Sequence, residues 1–111
     1  MDIRFREEED GVTVVRPLGR FDAGNAPEAE AELLGRMPPH GKWLMNLEGL
    51  EFLDNAGLRV FLLLAKQARK NETKLALCSL RPSVRAVFEI SGFSPLFTIV
   101  GDRAEAERLL H

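Results

Sequence analysis

Asn46-Leu47-Glu48-Gly49-Leu50-Glu51-Phe52-Leu53-Asp54-Asn55-Ala56-Gly57-Leu58 joins two elements whose types can be read from their residues. Overlapping its start, Trp43-Leu44-Met45-Asn46-Leu47 is short, apolar and bounded by Gly41 and Gly49, the pattern of a strand buried in the middle of a sheet. Asp54 then stands where its carboxylate can accept the free backbone N–H groups of a first helical turn, so a long helix is expected from there to about Lys70. A buried strand followed by a short loop and a capped helix is the building unit of α/β folds.

The flanking segments repeat that alternation. Ile3 and Phe5 alternate with charged residues, Asp10-Gly11 supplies a turn, and Val12, Val14, Val15 and Leu18 resume an apolar run, which together predict a β-hairpin. Gly19-Arg20-Phe21-Asp22 leaves the second strand. A helix is expected over Ala26 to Leu34, with Pro27 near its start and Gly35 and Pro38-Pro39 ending it. Beyond the long helix, the pattern predicts a strand over Lys74 to Ser79, a helix over Pro82 to Ile90, a strand over Leu96 to Val100 and a last helix over Arg103 to Leu110. With right-handed crossovers this gives an α/β fold: an N-terminal hairpin, then a mixed central sheet, mostly parallel at its centre, with helices packed against it. No internal repeat or linker interrupts it, and one domain over residues 1–111 is expected.

Composition narrows the function. With 45% hydrophobic and 29% charged residues, the chain can build a core and stay in solution. Its net charge of -2 comes from 15 basic and 17 acidic residues spread along the chain, without the cationic cluster that a nucleic-acid partner requires. Cys78 has no second cysteine to pair with, and no spacing of ligands suggests a metal. The first ten residues are charged where a secretory signal needs an apolar stretch, and Val60 to Ala65 is far shorter than the roughly 20 residues that span a bilayer. A cytoplasmic protein without membrane insertion is the expectation. His40 lies in a Pro-Pro-His-Gly turn and His111 at the end of the chain, neither beside a nucleophile or second ligand. There is no glycine-rich phosphate loop and no pair of catalytic carboxylates. Binding, without cofactor or metal, is therefore expected in place of catalysis.

Within the long helix, Leu58, Phe61, Leu62 and Ala65 follow the i, i+3, i+4, i+7 stripe expected to pack on the sheet. Val60 and Leu63 then fall outward among Arg59, Lys66, Gln67 and Lys70, a mixed apolar and basic face suited to docking a protein. The competing reading is that a neighbouring helix or loop covers both aliphatics.

The stretch Asn46 to Leu58 resembles the signature of STAS domains, the family of bacterial anti-sigma factor antagonists. In that family a buried strand and a short loop lead to Asp-Ser-Ser-Gly-Leu or Asp-Ser-Thr-Gly-Leu at the start of a long helix. Cys78-Ser79-Leu80-Arg81-Pro82-Ser83-Val84 and Phe88-Glu89-Ile90-Ser91-Gly92-Phe93 resemble the family's later strand, helix and Ser-Gly turn, and Gly19-Arg20-Phe21-Asp22 its Gly-x-x-Asp turn. The resemblance implies a STAS-like fold and a protein partner, an anti-sigma factor that is often a kinase. It implies a binding edge at Asp22, Asp54, Asn55, Ala56 and Gly57, and with the outward face of the helix the expected partner-binding surface is Asp22, Asp54, Asn55, Ala56, Gly57, Arg59, Val60 and Leu63. In the family the kinase phosphorylates the first Ser after the Asp and so breaks the complex. Here that position is Asn55 and the next is Ala56, and neither carries a hydroxyl that could accept phosphate. Asn55 is neutral, closer to an unmodified Ser than to a phosphoserine, and it also suits a helix start. Two alternatives share the resemblance: a STAS subunit of a membrane transport or signalling assembly, and a small-ligand sensor.

Overall fold

All of residues 1–111 are described in the computed structural model. The hairpin forms as expected: β1 (Asp2–Glu7) and β2 (Val12–Phe21) run antiparallel, and Gly11 takes the left-handed conformation (φ +86°) that a turn residue with a side chain would resist. From there the pairing is parallel, β2 with β3 (Lys42–Asn46), β3 with β5 (Lys74–Cys78) and β5 with β6 (Ile99–Val100). The order across the sheet is β1-β2-β3-β5-β6. Four helices complete the chain: α1 (Ala26–Arg36), α2 (Asn55–Asn71), α3 (Pro82–Ser91) and α4 (Arg103–Leu110). No helix is long and apolar enough to cross a membrane.

Side chains alternate across the strands and feed two cores. Trp43, Met45 and Leu77 join Ala29 and Leu33 of α1, Phe61 and Leu64 of α2 and Val84 and Phe88 of α3 in the larger one. Leu44, Ala76 and Cys78 point the other way and meet Ala106 and Leu110 of α4. Tilted aromatic pairs run through the larger core from Phe21 to Phe61, Phe88 and Phe97, with ring centroids 5.8, 5.4 and 5.0 Å apart. Each such pair contributes about 0.5–1.5 kcal/mol beyond the area it buries.

Four expectations change. The loop between Leu47 and Asp54 holds an additional strand, β4 (Leu50–Leu53), which pairs with the end of β2. This pairing is possible because the register shifts at Gly19, whose φ of +88° bends β2 away from β3. The strand expected over Leu96 to Val100 shrinks to Ile99–Val100, because Pro95 and its neighbours form a 3-10 turn over Ser94–Leu96. Gly35 does not stop α1, which continues to Arg36. Lastly, α2 is rotated from the expected phase: Gly57, Leu58, Val60, Phe61, Leu64 and Ala68 are buried, while Leu62 and Ala65 are only half-buried.

Candidate partner-binding edge

Asp54 fixes the start of α2. Its backbone is extended, one carboxylate oxygen accepts the Gly57 N–H at 3.0 Å, and the other accepts the Ala23 N–H at 3.2 Å across the fold. Its own N–H donates to the Phe21 carbonyl at 3.2 Å. One side chain thus caps the helix and ties it to the loop that leaves β2. Capping of this kind contributes about 0.5–2 kcal/mol.

That loop is held by its own polar groups. The Asp22 carboxylate accepts the Gly24 N–H at 3.0 Å, and the Asn25 side chain accepts the Asp22 N–H at 3.0 Å while donating to the Arg20 carbonyl at 2.8 Å. Arg20 sits 3.7 Å from Asp22 and lies over the Phe52 ring, 4.0 Å from its centroid. Asn25 was absent from the expected site, although an Asn directly ahead of Ala26-Pro27 is the sort of residue that opens a helix. In place of capping α1 it turns back to shape the loop.

Asp22, Asp54, Asn55, Ala56 and Arg59 come together around this edge. Asn55 and Arg59 are exposed and Ala56 is half-buried. A groove between α1 and α2 adjoins them, lined by Ala23, Ala26, Pro27, Glu30, Ala56, Arg59 and Val60. Two expected members offer no outward face. Val60 is only 2% exposed, because α1 lies against α2 and covers it. Gly57 is buried where α2 passes close to β2 and β4, and a Cβ there would lie 2.6 Å from the Leu53 side chain and 2.8 Å from the Phe21 carbonyl oxygen. Leu63 is half-buried, further along α2 from the loop.

The other titratable groups lie elsewhere. Cys78 is fully buried, and burial pushes its thiol pKa up, which keeps it protonated and unreactive. No group of three or more His, Cys, Asp or Glu side chains is placed to hold a metal ion.

This mixed-sheet α/β architecture is that of STAS domains, and comparison with known proteins agrees. The chain belongs to the STAS domain family, whose model matches residues 6–106. BtrV of Bordetella bronchiseptica, provisionally named an anti-sigma factor antagonist, is 40% identical over 98 residues that cover 87% of this chain and 84% of BtrV. A Thermotoga maritima protein, likewise provisionally named, superposes with a TM-score of 0.87 at 19% identity, covering 97% of this chain and 93% of that one. The unphosphorylated form of the Bacillus antagonist SpoIIAA superposes at 0.76 and 21% identity, covering 97% and 96% of the two chains. The chain is an anti-sigma factor antagonist-like STAS domain.

Proposed function

We propose that this chain is a cytoplasmic, non-enzymatic binding module, one domain over residues 1–111, which docks on an anti-sigma factor and so regulates sigma-factor-dependent transcription. The docking edge is Asp22, Asp54, Asn55, Ala56 and Arg59, with Leu63 at its far side. The observation that carries this reading is Asn55, exposed in the first turn of α2 beside a capping aspartate that is tied to the Asp22–Asn25 loop. A partner lying over that corner would meet a rigid loop and a helix start at once, which lowers the ordering cost of association.

On this reading the contact is not broken by phosphorylation at the helix start, since Asn55 and Ala56 offer no hydroxyl to accept phosphate. Capture of the tagged protein's partner, titration of that partner against Asn55 and Arg59 variants, and phosphopeptide mapping with ATP together test the proposal. Binding indifferent to both positions would sink the docking edge, and phosphate on the peptide containing Asn55 would sink the chemistry. The missing hydroxyl also suits a second reading, a permanent subunit of a transport or signalling assembly. Recovery of a membrane transporter in place of an anti-sigma factor would favour it.

A further inference from the structure

We propose that the open edge of β5 is a binding site for a small amphipathic carboxylate, one acidic head on a short apolar tail. The site stands apart from the docking edge, since Asn55 and Arg69 lie about 20 Å apart along α2 at ~1.5 Å per residue. It does not depend on the reading of that edge.

The argument starts from a ladder that stops early. β6 pairs with β5 only at Leu77 and Cys78. The Leu77 N–H donates to the Thr98 carbonyl at 2.8 Å on the β6 side, whereas the Lys74 N–H donates to the Gly41 carbonyl at 2.9 Å on the β3 side. Backbone groups alternate sides along a parallel strand, so the N–H and C=O of Leu75 turn toward the place where β6 would continue. No strand lies there, and the backbone N–H groups that bond side chains do not include that of Leu75. An unpaired main-chain donor on a half-buried residue invites an acceptor from outside the chain.

A cleft of about 380 Å³ occupies that position, and nine of the thirteen residues around it are hydrophobic. Its volume lies in the range of small-molecule sites, about 300–1,000 Å³. Leu75, Leu77, Phe97, Leu109 and Leu110 supply apolar wall for a tail. Arg69 borders the cleft from the side covered by α2. Lys74 borders it from the other side, in phase with Ala76 beneath α4. Neither cation is in an ion pair, and no acidic residue lines the cleft. An adjoining hollow formed with Leu62 and Leu96 adds Lys66. Two cations outside any ion pair on the rim of a cleft with a free N–H in its wall suit a carboxylate, which an arginine can bind through two parallel hydrogen bonds. A second copy of this chain would set cation against cation, and a neutral apolar compound would leave the Leu75 donor unmet.

Octanoate serves as the probe, titrated into the ¹⁵N-labelled full chain and followed by amide NMR. Saturable shifts centred on Leu75, Leu77 and Thr98 are expected. Octanol should bind about tenfold more weakly, and the exposed double variant Arg69→Gln, Lys74→Gln should lose about tenfold in octanoate affinity while keeping a native spectrum. The proposal is overturned if octanoate produces no saturable shifts, if the shifts scatter over the surface or centre on the Asp22 to Asn55 edge, or if octanol binds as tightly.

Discussion

A carboxylate at position 55 would suit the helix and disturb a partner. The first-turn N–H groups and the helix dipole favour a negative charge there by about 0.3–1 kcal/mol, so Asn55→Asp should fold normally. Once docked, the same charge must shed water beside Asp54, and affinity for the partner should fall by about 1–3 kcal/mol unless a cation meets it. Isothermal titration decides this, with Asn55→Ser as the control that binds normally, and unchanged affinity for Asn55→Asp would move the interface elsewhere. Two residues along, Gly57 answers to packing and not to a partner. A methyl group there meets the Leu53 side chain and, less yieldingly, the Phe21 carbonyl oxygen. Gly57→Ala should therefore cost about 1–3 kcal/mol of stability in a denaturant titration, and a neutral result would mean that α2 can slide away from β2.

The elements were legible in proportion to their regularity. The hairpin and β3 follow from alternation and apolar runs, the start of α2 follows from the cap at Asp54, and α4 spans the expected Arg103 to Leu110. β4 was hidden because four residues reading Leu-Glu-Phe-Leu carry too little period to distinguish a strand from a loop, and its pairing depends on the bend at Gly19. The phase of α2 differs from the expected one because Val60 to Leu64 is apolar throughout, so the run by itself does not say which side is inward. Gly57 held the missing signal, since a glycine in the first turn of a helix marks close backbone approach. It places Gly57, Phe61, Leu64 and Ala68 inward, while α1, invisible to a pattern within α2, covers Val60. Val60→Lys should then destabilise the fold by about 2–4 kcal/mol, for want of water or a partner for the ammonium. Leu63→Lys should cost about 1 kcal/mol or less, because a half-buried lysine can extend its head to solvent. Equal melting temperatures by calorimetry would show that α1 does not cover this side of α2.

Across the whole molecule the two faces of the sheet are unequally secured. Three helices and 19 buried residues make one core, whereas α4 closes the other face through a cluster of seven. Polar contacts with the hairpin and with β3 help to hold α4. Arg103 pairs with Glu8, and His111 lies 3.3 Å from the Asp10 carboxylate and 2.9 Å from the Lys42 ammonium nitrogen. The Asp10 carboxyl is held below its ordinary value, first by the Val12 N–H it accepts at 3.1 Å and then by His111. A depressed folded-state pKa means that the ionised carboxylate stabilises the fold above the ordinary value of 3.8, and that this contribution fades as pH falls through the lower folded-state value. The group is exposed, so the increment is small, but it falls on the less secured face. Acidification below about pH 4 should loosen the hairpin turn and α4 before the main core. Hydrogen exchange should then show α4 amides losing protection while those of α2 keep theirs. Asp10→Asn, which cannot titrate, should flatten the part of the acid dependence that belongs to α4. If α2 and α4 lose protection together at every pH, or if Asp10→Asn leaves that dependence unchanged, the hairpin contacts do not set the stability of this face.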